Sequence, residues 1–263
     1  MLRTLCLFLC LVLLSACAGQ PARELACDLA CPLGFQETLL SSPPFTLFAL
    51  VKKGQGPRLI VYLEGDGHAY HSAYQASDDP TPRYPCALHL ALHDPSKSHI
   101  CYLARPGQYL DLRQYPCAQR FWTDERQSPK VVSALSQAID QVKALCSAQK
   151  LVLVGYSGGG GLAALLAQTR QDVEFLATAA GNLALDCWVR EKQIAKLTGS
   201  LDPITRADAL QKLPQRHILG TNDQIIPRTC SEAFCRKAGA KLTLLQDFGH
   251  REAWHTLWNY NYE

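Results

Sequence analysis

Leu151-Val152-Leu153-Val154-Gly155-Tyr156-Ser157-Gly158-Gly159-Gly160-Gly161-Leu162 is the stretch that decides how the rest of the chain is read. Four apolar residues in a row suit a buried strand. Gly155-Tyr156-Ser157-Gly158-Gly159 follows directly, and an apolar helical pattern begins at Leu162. G-x-S-x-G between a strand and a helix makes a sharp turn that lifts the serine hydroxyl above the sheet. Residues two before and two after the serine must be small, because strand and helix approach closely there. Gly155 and Gly159 meet that need. The backbone N–H of Gly158 can then face a developing oxyanion. Gly160 and Gly161 exceed the requirement at about 1 kcal/mol each in a helix, which points to close packing or a mobile first turn. A phosphate-cradling loop is disfavoured, since no Gly-Lys-Ser/Thr follows.

Outward from this turn, strands and helices alternate. Thr46 to Lys52, Arg58 to Leu63, Ile100 to Ala104, Phe175 to Ala179, His217 to Leu219 and Leu242 to Leu245 read as strands. Pro129 to Cys146 carries apolar residues near a 3.6 period, with Pro129 in the first turn. Leu162 to Thr169, Thr229 to Ala238 and Glu252 to Trp258 are shorter helical candidates. Such alternation predicts an α/β domain with helices on both faces of a mostly parallel sheet. Hydrophobic residues are 48% of the 263-residue chain and charged residues 19%, enough for a sizeable core. A net charge of +3 with no basic tract gives no reason to expect nucleic acid.

A serine in this turn needs a base and an orienting acid, and its resemblance to the nucleophile turn of α/β-hydrolases implies that acid and then base follow it in chain order, each after a strand. After His217 to Leu219 comes Gly220-Thr221-Asn222-Asp223, and after Leu242 to Leu245 comes Asp247-Phe248-Gly249-His250. Asp223 and His250 therefore take the two roles. Neutral imidazole accepts the serine proton, and the carboxylate fixes its tautomer. Asn222 cannot carry charge, and Asp247 is too near His250 in sequence. His255 is the rival base. Activity should fall below about pH 6.5, where histidine protonates. A second oxyanion donor should come from Glu64-Gly65-Asp66-Gly67, with Asp66 before Gly67; an anionic Asp66 side chain must then point away from the oxyanion.

These residues, with Arg105-Pro106-Gly107 after the Ile100 strand, resemble the α/β-hydrolase fold superfamily from about Phe35 to the C-terminus. Phe121-Trp122-Thr123 further resembles a group of exported bacterial members. The loop starting at Glu64 stands where esterases and lipases carry His-Gly-Gly-Gly, with Glu64 replacing the histidine. The resemblance implies an eight-stranded sheet, an acyl-enzyme and no cofactor. It does not fix the substrate. A small-molecule or lipid-like ester is expected. A peptidase or thioesterase, or a non-catalytic binding lipoprotein, is the alternative.

The N-terminus reads as an export segment. Arg3 precedes an apolar run, Leu5 to Leu14, too short to span a membrane. Leu14-Ser15-Ala16-Cys17 resembles the bacterial lipobox. Residues 1–16 are then a signal peptide, Cys17 is lipidated, 17–34 is a tether, and 35–263 is the hydrolase domain, with 186–213 as a small cap. The expected location is the periplasm, anchored to the outer membrane; the other reading is a plain secretory signal cut near Ala18. Of twelve cysteines, Cys6, Cys10 and Cys17 are thereby accounted for, and nine remain. That number suits an oxidising compartment and, being odd, leaves at least one free thiol or an intermolecular bridge. Cys230 with Cys235 and Cys27 with Cys31 are candidate pairs. No CxxC occurs, so zinc is not expected. His89 and His93 read as core or surface histidines, and the group Asp66, His68, His71, Asp78 and Asp79 as a polar active-site rim, rather than metal sites. Tyr70, Tyr74, Tyr109, Tyr115, Phe121 and Trp122 line a pocket or belong to the core.

Overall fold

The computed structural model describes residues 21–72 and 75–262. Eight strands form the main sheet: β1 (Gln36–Ser42), β2 (Phe45–Lys52), β3 (Arg58–Leu63), β4 (His99–Leu103), β5 (Lys150–Tyr156), β6 (Val173–Ala179), β7 (Gln215–Gly220) and β8 (Leu242–Leu245). Their order is β1-β2-β4-β3-β5-β6-β7-β8. The first two pairings are antiparallel and all the others parallel. The chain thus adopts the expected mostly parallel α/β-hydrolase sheet. A small hairpin, Tyr70–Ser72 with Gln75–Ala76, stands apart from it.

Alternation along each strand divides the core into two layers. Leu59, Val61 and Leu63 of β3 face helices α3 (Pro129–Cys146), α4 (Gly158–Ala167) and α6 (Arg228–Ala238). Ile60 and Tyr62 face the opposite layer, built by α1 (Ala22–Ala30), α2 (Cys86–Leu92) and the C-terminal Trp254, Trp258 and Tyr262. Helix α3 keeps the bounds its periodicity predicts. Ser128 accepts a hydrogen bond from Val131 N–H, Pro129 opens the helix, and Ser147 ends it in the left-handed region.

Differences from the sequence expectations have local causes. β1 has no clear alternation, because it is an edge strand paired only with β2. α4 begins at Gly158 rather than Leu162. The Glu252 to Trp258 helix shrinks to a 3₁₀ turn, Trp254–Thr256. Trp254, His255, Thr256 and Trp258 are weaker helix formers than Glu252, Ala253 and Leu257, and both indoles are tied elsewhere, Trp254 to His250 O and Trp258 to the Tyr262 hydroxyl. Within 17–34, α1 buries Ala26 and Ala30 against the sheet. Residues 186–213 contain α5 (Leu185–Lys192) and a 3₁₀ segment, Pro203–Leu210, whose Ala207 and Leu210 enter the core. Cys6, Cys10 and Cys17 lie outside the described residues.

Both suggested cysteine pairs are incorrect. The disulfide is Cys187–Cys230, joining α5 to α6, and Cys27, Cys31 and Cys235 are free thiols. Cys230 and Cys235 share α6, where five residues turn the side chains about 140° apart. Cys27 and Cys31 are one turn apart, with parallel Cα–Cβ bonds, and Cys27 Sγ–H donates to Glu37 instead.

Candidate active site

The turn after β5 holds Ser157 at φ 52°, ψ −122°. That backbone is costly for a residue with a side chain. It is fixed from both ends: Ser157 N–H donates to Ala179 O at 3.0 Å, and Ser157 O accepts from Gly160 and Asn182 N–H, each at 2.9 Å. Gly155, Gly159, Gly160 and Gly161 each have a contact that excludes a side chain. A Cβ on Gly155 would meet Gly159, and one on Gly159 would meet the Leu63 and Glu64 carbonyls. On Gly160 it would lie 2.7 Å from Gly181 Cα, and on Gly161 2.5 Å from Asn182 O. Close packing, rather than a mobile first turn, thus accounts for Gly160 and Gly161.

Asp223 and His250 reach Ser157 from the C-terminal ends of β7 and β8. Their loops are stitched together. Thr221 N–H donates to Leu245 O, Asn222 N–H to Phe248 O, and Asp247 N–H to the Thr221 hydroxyl, each at 2.9 Å. His250 Nε2 lies 3.0 Å from Ser157 Oγ, and His250 Nδ1 lies 2.8 Å from Asp223 Oδ2. Asp223 Oδ1 accepts from Ile225 and Ile226 N–H, which aims the other oxygen at the imidazole. An ionised carboxylate at Nδ1 accepts, so the ring proton sits on Nδ1 and Nε2 is free to accept the serine proton. His250 O accepts from the Tyr156 hydroxyl at 3.0 Å and from Trp254 Nε1 at 2.9 Å. Of the rivals, His255 stacks on His93 with ring centroids 4.2 Å apart, and the acid bonded to His250 is Asp223, not Asn222 or Asp247.

The loop after β3 runs past the nucleophile. A Cβ on Gly65 would lie 3.3 Å from Ser157 Cβ, so only glycine fits without displacement. Gly65 N–H is taken by the Glu64 carboxylate and His68 N–H by Pro80 O. Asp66 and Gly67 are the donors left between them. The Asp66 carboxylate is gripped by two buried arginines. Arg105 holds Oδ1, and Arg126 Nη1 lies 2.8 Å from Oδ2. Burial alone would raise its pKa, but the two guanidinium charges and their hydrogen bonds hold it well below the usual carboxylate range. Gln108 Nε2 donates to Gly65 O at 3.0 Å. The Arg-Pro-Gly segment thus carries Arg105 and Gln108 as struts for this loop. The sequence offered Arg105 only as a mark of the fold, and Arg126 had no signal at all.

Glu64, at the position of the motif histidine, is fully buried. It accepts from Gly65 N–H, Tyr102 hydroxyl and, at 3.5 Å, Ala87 N–H at the start of α2. Burial pushes its pKa up to about 7, against the pull of these hydrogen bonds. A cleft of about 450 Å³ opens in front of Ser157 and His250, with Glu64, Asp66, Tyr70 and Tyr156 in its wall. Tyr109, Phe121 and Trp122 are core residues, and Tyr115 packs against the core. Tyr74 lies outside the described residues. Among the described residues, no group of three or more His, Cys, Asp or Glu is placed to hold a metal ion.

Similarity to known proteins bears on this geometry. The Pyrococcus furiosus esterase Pf2001 superposes with a TM-score of 0.61 at 10% identity, covering 88% of each chain. Est1E from Butyrivibrio proteoclasticus gives 0.56 at 14% identity, over 81% of this chain and 90% of that one. The Pyrococcus horikoshii acylaminoacyl peptidase gives 0.60 at 14% identity over 82% of this chain. The match spans only 37% of that peptidase's length. At such identities the likeness is one of fold. No curated protein matches the chain. The family model described as Serine hydrolase (FSH1) matches residues 84–251, well over half of the chain, and takes in Ser157, Asp223 and His250. The chain belongs to this serine hydrolase family.

Proposed function

We propose that the protein hydrolyses ester-type bonds through an acyl-enzyme, with Ser157 as nucleophile, His250 as general base and then acid, and Asp223 as its orienting carboxylate. The observation that carries this reading is the continuous chain Ser157 Oγ, His250 Nε2, His250 Nδ1, Asp223 Oδ2, with contacts of 3.0 and 2.8 Å. Ser157 Oγ attacks the carbonyl carbon while its proton passes to His250 Nε2. The tetrahedral oxyanion accepts from Gly158 N–H and from Asp66 or Gly67 N–H. Collapse breaks the ester C–O bond, and His250 returns the proton to the leaving alcohol. Water then attacks the acyl-enzyme by the same route and frees Ser157. Pairing of the Asp66 carboxylate with Arg105 and Arg126 supports Asp66 as donor, because two guanidiniums balance its charge.

Export and lipid attachment through Cys17 belong to the same proposal. The Cys187–Cys230 disulfide supports export, since such bonds persist in oxidising compartments. Turnover of short p-nitrophenyl esters by the purified protein tests the chemistry. Ser157→Ala is expected to abolish it, a loss of about 10³-fold or more. Undiminished turnover in that variant rejects the assignment. Thioester and peptide substrates in the same assay tell an esterase from the alternatives on this fold.

A further inference from the structure

The cleft in front of Ser157 carries more positive charge than the proposed chemistry uses. Arg83 and Arg251 both line it, and both are exposed. Among the described residues neither makes an ion pair with a carboxylate. Arg83 is nevertheless held in place. Its Nη2 lies 3.2 Å from His68 Nε2, which lies 3.2 Å from His71 Nδ1. A neutral His68 accepts from Arg83 at this atom. Burial, Arg83, His71 and Arg251 all favour its neutral form by lowering its pKa, although Asp79 opposes them. Arg251 follows His250 in sequence and lines the same cleft as Ser157.

The two carboxylates that line this cleft, Glu64 and Asp66, are committed elsewhere. Asp66 is committed to Arg105 and Arg126. Glu64 is buried behind the loop and engaged by Gly65 N–H and the Tyr102 hydroxyl. Asp78 and Asp79 lie with His68, His71 and Arg83 around a neighbouring hollow, where Asp79 Oδ1 accepts from Thr81 N–H at 2.9 Å. Guanidinium groups suit planar, bidentate recognition of carboxylate and phosphate oxygens. Both guanidiniums are exposed in the cleft wall, where an anionic group of a bound substrate can reach them.

Resting on the serine-esterase reading, we propose that the cleft selects esters bearing an anionic group, bound by Arg83 and Arg251 while the ester carbonyl lies at Ser157. The anion could sit on the acyl or the leaving-group side, and two substrate pairs separate these sources. Mono-p-nitrophenyl glutarate against p-nitrophenyl butyrate reads the acyl side. 4-Acetoxybenzenesulfonate against phenyl acetate reads the leaving-group side, after correction for leaving-group reactivity using the hydroxide rates. In low-salt buffer, kcat/KM for the anionic member of at least one pair is expected to exceed its neutral partner by about tenfold. That advantage should shrink in about 0.5 M salt, which screens exposed charges. The Arg83→Gln/Arg251→Gln double variant should lose kcat/KM for the anionic ester by about tenfold more than for the neutral one. Equal or slower turnover of both anionic esters, or an advantage that persists in the double variant, overturns the proposal. Ser157-dependent turnover of the neutral esters with no anionic advantage rejects only the anion site; neutral turnover that survives Ser157→Ala rejects the nucleophile assignment instead.

Discussion

Glu64 ties the loop after β3 to α2, and its burial makes stability depend on pH. Its pKa in the fold is about 7, against an ordinary 4.5. A raised carboxyl pKa means that the native state holds the proton more tightly than the unfolded chain. The resulting stability is fully present below about pH 4.5 and is lost as pH rises through about 7. The shift corresponds to about 3 kcal/mol. His217 works in the opposite sense. Burial lowers its pKa from 6.5 to about 4, so its contribution is present above pH 6.5 and is lost as pH falls through 4. The two effects oppose one another across one pH window, and a variant is needed to expose either. Glu64→Gln should gain on the wild type by about 3 kcal/mol in urea-unfolding free energy between pH 4.5 and 8. A difference that stays constant with pH would show that Glu64 does not bind its proton more tightly in the fold. At this scale the sequence showed where Ser157, Asp223 and His250 stand, because each follows a recognisable strand. It did not show what Glu64, standing in place of the motif histidine, would bond to, since its partners Tyr102 and Ala87 lie far along the chain.

Helix α4 is the element whose composition argues against its own structure. Four consecutive glycines, Gly158 to Gly161, open it, and each costs about 1 kcal/mol in helix propensity. Propensity by itself therefore starts the helix at Leu162. Packing moves the start back to Gly158, because the first turn lies against β3, Gly181 and Asn182 with no room for a methyl group. Gly161→Ala separates the two effects. Propensity alone would stabilise the protein by about 1 kcal/mol. A Cβ 2.5 Å from Asn182 O instead predicts a net loss of about 1–2 kcal/mol in urea unfolding, typical of overpacking. A gain in stability would mean that α4 has space the structure does not show. α3 was legible end to end, because Ser128, Pro129 and its apolar period all agree. The C-terminal turn was not, because nothing in its composition shows that Trp254 bonds back to His250 O and Trp258 forward to the Tyr262 hydroxyl.

Across the whole molecule, catalysis and stability share a set of long-range ties. The candidate site lies at the carboxyl ends of parallel strands, the usual place for ligands in an open α/β sheet. The Asp223 loop is further braced from α5: Trp188 Nε1 donates to Ile225 O at 2.9 Å, and the Cys187–Cys230 bond joins α5 to α6 beyond it. That disulfide closes a separation of 43 residues. No sequence spacing marks such a pair, which explains why only local pairs suggested themselves. Replacing both cysteines by serine should lower the unfolding free energy by about 2–4 kcal/mol. Chain retained in a reducing cytosol should yield Cys187 and Cys230 as separate peptides, whereas the exported chain should yield them linked. Equal stability of the variant, or separate peptides from the exported protein, would deny the bridge its role.

Ser157 is where fold, charge and chemistry meet, and a fluorophosphonate probe reads it directly. The probe should modify the wild-type protein at Ser157, as located by peptide mapping, and should leave Ser157→Ala unlabelled. Labelling should fall steeply in His250→Ala, which keeps the hydroxyl but removes its base. Ester turnover by wild-type protein with Ser157 unmodified, or with the probe on another residue, would contradict the assignment.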